Sequence, residues 1–311
     1  MTTTMNTYVL EGGVGKFVAF TAVLPELVKQ NGGNPVQIHG PHFQVFANNP
    51  HVAMSYDSLS IPLDDPRITR SDRIVYLEPY KNDFVKGDQH LIESFCDMLD
   101  LKYSPDMRPE LYSEHASSEA SQWLKDNDVT GEYILIQFSG GQPPMNFAPG
   151  VEYQSSNPGR NYPVYFVNYI ISRLREQYPN TTIIDATLPN EPAFEGTIKC
   201  DRHWTVVNEI MKGASAFIGI DSLLQHLSAV NGIPGVVIWG NTRHTQFGYT
   251  HNANMTFHSP NGLRYNDFFK MDINDPRNVL VDPGDVLDVF VNDVYGSSDV
   301  REVRNAASCS D

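Results

Sequence analysis

Residues 214–242, ASAFIGIDSLLQHLSAVNGIPGVVIWGNT, contain two apolar runs with a polar turn and an amphipathic stretch between them. Asp221 and Ser222 follow the first run, and both residue types favour the position that begins a helix. Gly232 is typical of the residue just after a helix, and the second apolar run begins soon after it. The segment therefore predicts a strand, a helix over 223–231 and a second strand, the repeating unit of parallel α/β folds.

The start of this helix is a candidate binding site. In parallel α/β folds, ligands bind at the carboxyl ends of the strands, where such helices begin. The N–H groups and partial positive charge of a helix start suit a diphosphate. His226 follows Ser222 by one helical turn, so it could lie near the same ligand. The alternative is structural: Asp221 or Ser222 only caps the helix, and His226 makes a polar contact.

The same alternation of short β-rich runs and amphipathic stretches extends along the chain and predicts two Rossmann-like domains with parallel sheets. A polar stretch, KDNDVTGE at 125–132, separates them, so we place the domains at 1–127 and 128–295, with a frayed tail at 296–311. Strands are predicted at 8–10, 36–39, 52–56, 74–77, 133–138, 182–185, 216–220 and 236–239, and helices at 16–30, 88–101, 115–127, 163–178, 205–212 and 223–231.

The composition disfavours several classes of protein. The 311 residues carry 22 lysines and arginines against 37 aspartates and glutamates, and the net charge of −15 disfavours a surface that coats nucleic acid. The longest apolar runs are too short to span a bilayer, and the segment MTTTMNT lacks the features of a secretion signal. Three widely spaced cysteines indicate neither a disulfide framework nor a metal site. We expect a cytoplasmic protein, or one of the host cytoplasm if a phage encodes it.

A glycine-rich loop near the start of the chain, in YVLEGGVGKFVAF at 8–20, resembles the loop of nucleoside-triphosphate-binding proteins. That loop requires a glycine at position 10 and a serine or threonine after the lysine, whereas this chain has Leu10 and Phe17. A related loop begins with lysine, and here that position is Glu11, which would repel a triphosphate. The sequence therefore disfavours an ATPase.

The glycines of this loop remain informative. Gly12, Gly13 and Gly15 would let another molecule approach the backbone closely at a strand-to-helix turn. The alternative is that they only permit a tight turn.

Segment 214–242 also resembles the motif GNDSGPMHLAAALGTPVVALFGPT of the ADP-heptose–lipopolysaccharide heptosyltransferase family, which are two-domain GT-B glycosyltransferases. The resemblance is carried by Gly219, Asp221, Ser222, His226, Leu227, Gly232, Pro234, Gly240 and Thr242. The first loop and helix are similar to the family's GGLGD segment, and ANNPHV at 47–52 is similar to its L-x-x-N-P-x-V. ILIQFSGGQ at 134–142 resembles its HPGAS turn, and the segment from 159 to 179 resembles its K-x-W-P segment and following helix.

The resemblance implies an α/β GT-B fold whose two parallel sheets face a cleft. It implies a glycosyltransferase (hexosyl-, heptosyl- or pentosyl-) that takes a nucleotide-diphosphate-sugar as substrate, inverts the anomeric centre, and uses no metal and no cofactor. The second domain would bind the donor through Ser139, Gly140, Gly141, Arg160, Asp221, Ser222, Leu223 and His226. The longer segment 141–158 would be a lid or acceptor loop, or a passive insertion.

Lys16 is the chief departure from the family, because it stands where the family has the aspartate that acts as catalytic base. A protonated lysine is a poor base. Lys16 could bind an anion or act as an electrophile, with Glu11, His39 or His42 as the base beside the glycine loop. It could instead be desolvated and neutral, or the protein could lack activity.

The acceptor class stays open on the sequence. A saccharide, a protein side chain or a modified DNA base of the kind some phages glycosylate would each supply a hydroxyl. The net charge counts against DNA. The competing class is a non-catalytic GT-B protein that binds a nucleotide-sugar or glycan.

Overall fold

Two compact units make up the chain, Met1–His115 and Ala116–Asp311, and each is built around one parallel sheet. The structure is a computed structural model. It describes residues 5–81, 84, 87, 89–112, 116–140, 161–187, 189, 191–240, 242–256 and 281–296.

The first unit contains a sheet in the order β3-β2-β1-β4, with every described pair parallel. The strands lie at the predicted places: three of the four agree with the prediction to within one residue at each end. The strands are β1 (Asn6–Leu10), β2 (Val36–His39), β3 (Val52–Tyr56) and β4 (Arg73–Leu77). The helices are α1 (Val14–Thr21), α2 (Leu24–Gln30), α3 (Pro66–Thr69) and α4 (Leu91–Met98), with 3-10 turns at Phe43–Phe46 and Pro79–Lys81.

The first predicted helix, 16–30, is two helices in the structure, and that prediction was wrong in this respect. Helix α1 ends at Thr21, and α2 begins at Leu24 with Pro25 in its first turn. A proline ring clashes with the carbonyl group four residues earlier in a helix, which here is that of Thr21. The Thr21 hydroxyl donates back to the carbonyl oxygen of Val18 over 2.7 Å.

The second unit contains a sheet in the order β10-β9-β8-β5-β6-β7, again parallel throughout the described pairs. Its strands are β5 (Tyr133–Gln137), β6 (Thr182–Ala186), β7 (Ile198–Cys200), β8 (Ala216–Ile220), β9 (Gly235–Trp239) and β10 (Ala253–Thr256). Its helices are α5 (Ser117–Asp126), α6 (Val164–Gln177), α7 (Trp204–Lys212), α8 (Leu223–Asn231), α9 (His244–Phe247) and α10 (Pro283–Val289), and a π-helical turn at Phe290–Tyr295 continues α10.

The core of the second unit follows from the two-residue period of its central strands. Alternate residues of β5, β8 and β9 pack with α6 and α10 on one face of the sheet, and the central strands are buried on both faces. On that face the cluster includes Ile134, Ile136, Ile218, Val236, Val167, Ile170, Val286 and Phe290. This packing fixes where the carboxyl ends of β5 and β8 lie.

Helix α5 packs against α7 in the second unit, with Ala120 and Trp123 buried. Its first residue, Ser117, donates from its hydroxyl to Glu209 Oε2 over 2.7 Å. The polar stretch in the sequence had placed the domain boundary after this helix, at 127/128. The compact units divide before it, between residues 115 and 116. The predicted tail, 296–311, lies outside the described residues except for Gly296.

The predicted α/β class with two parallel sheets is confirmed by these pairings. None of the described helices is both long enough and apolar enough to cross a membrane.

Candidate functional site

The glycine loop of the first unit is a strained strand-to-helix turn. Gly12 has a φ of +101°, a region that L side chains rarely adopt, so glycine is required there. Gly13 is the N-cap of α1, and the N–H of Lys16 donates to its carbonyl oxygen over 3.0 Å. Gly15 lies within α1, and Glu11, between β1 and the turn, is exposed.

Lys16 is buried in an ion pair that the sequence had not indicated. Its Nζ lies 3.0 Å from Glu78 Oε1 and 3.1 Å from Glu78 Oε2. The same Nζ lies 4.1 Å from the centroid of the Tyr80 ring, and the N–H of Tyr80 donates to Glu78 Oε1 over 3.1 Å. A Cβ on Gly12 would lie 3.2 Å from this Nζ, so the loop packs directly over the ammonium group.

Sheet order explains why Glu78 reaches the loop. Strands β1 and β4 are parallel neighbours, and Leu10 is paired with Leu77, so Glu11 and Glu78 each follow the end of one of these strands. Glu78 comes one residue after a strand that the sequence had predicted. No sequence pattern shows that this strand lies beside β1, so no local signal could have singled Glu78 out.

The two histidine candidates of the first unit, His39 and His42, contact Ile61 and Phe17 respectively. His39 is buried in β2, and its Nε2 donates to the carbonyl oxygen of Ile61 over 2.7 Å. Its Nδ1 is buried and has no hydrogen-bond partner among the described residues. His42 packs edge-on against Phe17, with ring centroids 5.2 Å apart. Neither contact leads to Lys16.

In the second unit, two segments predicted to bind the donor come together. Ser139 and Gly140 follow β5, and the N–H of Gly140 donates to Asn161 Oδ1 over 2.9 Å. A Cβ on Gly140 would lie 2.6 Å from Ser222 Oγ, at the start of α8. The parallel pairing of β5 with β8 places their carboxyl ends side by side, which is why the two turns meet.

The N-terminus of α8 is capped by a residue that the sequence had not indicated. Ser222 is the N-cap by position, but its side chain makes no capping hydrogen bond with a described residue. Instead, Gln137 Oε1, at the end of β5, accepts from the N–H of Leu224 over 3.0 Å. Asp221 is buried at the end of β8. The prediction that the N–H groups of this helix start are available for a ligand is therefore wrong for Leu224.

A cavity of about 240 Å³ lies beside Ser139. Three of its lining residues are aromatic: Phe138 and Tyr162 are stacked with centroids 5.9 Å apart, and Phe194 meets Phe138 edge-on at 6.5 Å. Tyr162 is fixed by its hydroxyl, which donates to the carbonyl oxygen of Val281 over 2.5 Å. Phe138 and Tyr162 are buried, whereas Phe194 is only partly buried, so its ring is the one of the three that can pack against a planar ligand.

Two carboxylates, Glu191 and Glu195, line this cavity. Glu191 Oε2 accepts hydrogen bonds from the hydroxyls of Ser139 and Thr187, each over 2.5 Å. A carboxylate repels an anion but accepts well from hydroxyl groups. The Ser139 side chain is thus engaged with Glu191, and this part of the turn is better suited to a sugar hydroxyl than to a diphosphate.

Asp185 is a buried carboxyl in β6. Burial raises its pKa to about 7, although the N–H of Phe194 donates to it and partly offsets this effect. Its Oδ2 is buried and has no hydrogen-bond partner among the described residues. The side chain therefore changes its charge near neutral pH.

His226 lies in a buried polar contact on α8. Its Nδ1 is 2.9 Å from the hydroxyl of Tyr249, and its Nε2 is 3.1 Å from Nε2 of Gln225. That amide nitrogen also donates to the carbonyl oxygen of Phe247 over 3.1 Å. These contacts match the structural alternative considered for His226.

Other predicted features fall outside the described residues, namely Arg160 and the whole segment 141–158, which includes Gly141. Leu223 is the first residue of α8. Among the residues that the structure describes, no group of three or more histidine, cysteine, aspartate or glutamate side chains could hold a metal ion.

Three solved structures of glycosyltransferases are similar to this chain over most of its length. A glycosyl transferase of family 9 from Veillonella parvula DSM 2008 is similar over 93% of this chain and 96% of its own, with a TM-score of 0.69 and 11% identity. ADP-heptose lps heptosyltransferase II of E. coli is similar over 92% of this chain and 96% of its own, with a TM-score of 0.59 and 11% identity. E. coli heptosyltransferase WaaC with ADP is similar over 87% and 97%, with a TM-score of 0.55 and 12% identity.

No protein-family model matches the sequence, and no curated protein matches it significantly. The structural likeness shows that the chain has the GT-B fold, as the sequence resemblance had implied.

Proposed function

We propose that the chain is a glycosyltransferase that moves a sugar from a nucleotide-diphosphate-sugar to a hydroxyl acceptor, with inversion and without a metal ion or cofactor. The observation that carries the proposal is the direct contact of Gly140 with Ser222. It joins two turns at the carboxyl ends of neighbouring parallel strands, where α/β folds bind ligands.

The donor diphosphate binds at this junction. The start of α8 contributes its dipole and backbone groups, together with the Ser222 hydroxyl, which is not used in capping. Ser222, Leu223, Gly140 and Gly141 are the proposed contacts of the diphosphate, and Asp221 comes directly before them at the end of β8. We assign Arg160 the pairing with a phosphate, because a guanidinium group binds phosphate oxygens in pairs.

The nucleoside binds in the neighbouring cavity. The partly buried ring of Phe194 fits a base, and Glu191, which lines the cavity, fits the ribose hydroxyls because a carboxylate accepts well from hydroxyl groups. His226 stabilises α8 rather than contacting the donor, because its ring nitrogens are engaged with Tyr249 and Gln225.

The acceptor binds at the glycine loop of the first unit. Gly12, Gly13 and Gly15 leave the backbone open to a sugar ring, with Glu11 next to the loop and His42 packed against Phe17 of α1. A saccharide or a protein side chain suits the net charge of −15 better than DNA does.

The alternative function is binding of a nucleotide-sugar without turnover, and Lys16 at the position of the family's base favours it. The experiment that decides begins with a thermal-shift screen of UDP-, ADP-, GDP- and CDP-sugars. Release of nucleoside diphosphate is then measured with saccharide, peptide and modified-DNA acceptors. A transferase releases diphosphate only when an acceptor is present, whereas a binding protein shows the shift alone.

A matched pair of arginine variants tests the donor site. We expect Arg160→Ala to raise the donor Kd at least tenfold. Arg173→Ala is the control, since Arg173 is half-exposed in a surface pair with Glu176 and should leave the Kd unchanged. Equal affinities in the two variants would contradict the assignment of Arg160.

A further inference from the structure

We infer that Glu78 is the catalytic base, held in place by Lys16; this inference rests on the proposed function. The loop lacks a carboxylate at the position of Lys16, and the residue after the neighbouring strand β4 supplies one in direct contact with the Lys16 ammonium group.

The ion pair is oriented so that the carboxylate is the accessible partner. The Lys16 side chain is 2% exposed, whereas that of Glu78 is 22% exposed. Oε1 accepts from both Lys16 and the N–H of Tyr80, while Oε2 accepts from Lys16. Because each carboxylate oxygen has two lone pairs, Oε2 can still accept a proton from a substrate hydroxyl.

Lys16 fits the part of a positioning residue. Its ammonium group is enclosed by Gly12, the Tyr80 ring and Glu78, and it donates to both oxygens of that carboxylate. It also holds both oxygens in one orientation. A protonated lysine cannot itself take a proton, so Lys16 orients the carboxylate and Glu78 accepts the proton.

The other candidates are less well placed. Glu11 is exposed and has no ion pair among the described residues, and His39 uses its Nε2 on a backbone carbonyl. A base must be oriented as well as present, since misplacement by about 1 Å can cost 100-fold in rate. Glu78 is held by three hydrogen bonds.

The step is a single displacement. The acceptor hydroxyl gives its proton to Glu78 Oε2 while its oxygen forms a bond to the anomeric carbon of the donor. The bond from that carbon to the diphosphate oxygen breaks, and its electron pair leaves with the nucleoside diphosphate. The proton then passes from Glu78 to water.

The test compares Glu78→Gln with Glu26→Gln and Glu11→Gln, using the donor and acceptor that give the highest diphosphate release with the wild-type chain. Glu26 pairs with Lys29 on the surface and is the matched control. We expect Glu78→Gln to lower kcat at least 100-fold, as loss of a general base does. The donor Kd from calorimetry should stay within twofold, and Glu26→Gln should keep kcat within threefold.

Because Glu78→Gln leaves a buried ammonium group, a second pair of variants guards against a loss of folding. Lys16→Met/Glu78→Gln removes both charges, and Lys16→Met removes only the cation. We expect the double variant to be as inactive as Glu78→Gln, and Lys16→Met to keep at least tenfold more activity with an unchanged donor Kd. If Lys16 had only a structural role, its loss would change kcat and the donor Kd together. A change in kcat alone therefore indicates that Lys16 positions the base.

The outcomes separate this inference from the proposed function. If the wild-type chain releases no diphosphate from any donor, the proposed function fails and the base assignment fails with it. If the wild-type chain turns over and Glu78→Gln or the double variant keeps more than a tenth of kcat, only Glu78 is overturned. A 100-fold loss in Glu11→Gln alone would move the base to Glu11.

Discussion

Gly140 and Ser222 are in contact so close that no side chain fits between them. A Cβ on Gly140 would lie 2.6 Å from Ser222 Oγ and 3.1 Å from Ser222 Cβ. The N–H of Gly140 is fixed on its other side by Asn161. The turn after β5 and the start of α8 therefore hold each other in place.

Gly140→Ala tests this contact. We expect it to lower the free energy of unfolding by about 1–3 kcal/mol, the usual effect of overpacking, and to raise the donor Kd about tenfold. Urea denaturation and calorimetry measure the two effects. Gly131→Ala is the control, because a Cβ there meets nothing within 4 Å. Equal stability in the two variants would mean that Ser222 moves aside.

The ion pair of Lys16 with Glu78 should be asymmetric in stability. Glu78→Gln leaves a cation in the interior and should cost about 3–5 kcal/mol. Lys16→Met leaves a partly exposed carboxylate that water can reach, so its cost should be clearly smaller. Denaturation of both single variants and the double variant gives the coupling energy. Equal costs would contradict the conclusion that Lys16 is buried while water can reach Glu78.

Asp185 should make the stability of the second unit depend on pH. Its pKa is about 7 in the folded protein and ordinarily 3.8, so the fold favours the protonated form. Its contribution to stability is fully present below pH 4 and is lost as pH rises through 7. Asp185→Asn removes this loss, and its stability relative to wild type should improve by on the order of 3–4 kcal/mol between pH 4 and pH 8.

Urea denaturation at pH 4, 6 and 8 measures that change. Asp128→Asn is the control, because Asp128 is exposed and asparagine also tolerates its φ of 55°. A difference between Asp185→Asn and wild type that stays constant with pH would show that the carboxyl is ionised throughout.

His226 should matter for stability more than for donor contact. His226→Ala breaks its hydrogen bonds with Tyr249 and Gln225, and we expect a loss of about 1–3 kcal/mol. Tyr249→Phe removes one of these bonds and should cost less. Both variants should change the donor Kd by less than threefold. A tenfold loss of affinity in His226→Ala alone would place the ring in contact with the donor.

The sequence predicted what depends on local periodicity. The helix 223–231 and the strands 36–39, 52–56 and 216–220 agree with the structure residue for residue, because apolar runs end there at glycine or polar residues. The short edge strands β7 and β10 were not predicted, since they are three and four residues long and largely half-buried. The break at Pro25 could have been predicted from the proline alone.

The partners in the candidate site could not have been predicted in the same way. Glu78, Gln137, Asn161 and Glu191 are single polar residues, and each meets a partner that is between about 20 and 90 positions away in the chain. Those contacts depend on which strands are neighbours, and the order of strands in a parallel sheet leaves no local pattern. The sequence thus indicated the turns that form the site and missed the side chains that hold them.

The order of strands also governs how the chain can fold. The central strand β5 pairs with β8, and Ile134 is aligned with Ala216, so the pairing must wait for about 80 intervening residues. The first sheet needs only the chain up to Leu77. During synthesis, the first unit can therefore complete its sheet early, while β5 stays unpaired until β6 and β8 have been made. We expect the second unit to set the overall rate of folding and to be where newly made chains are most prone to aggregation.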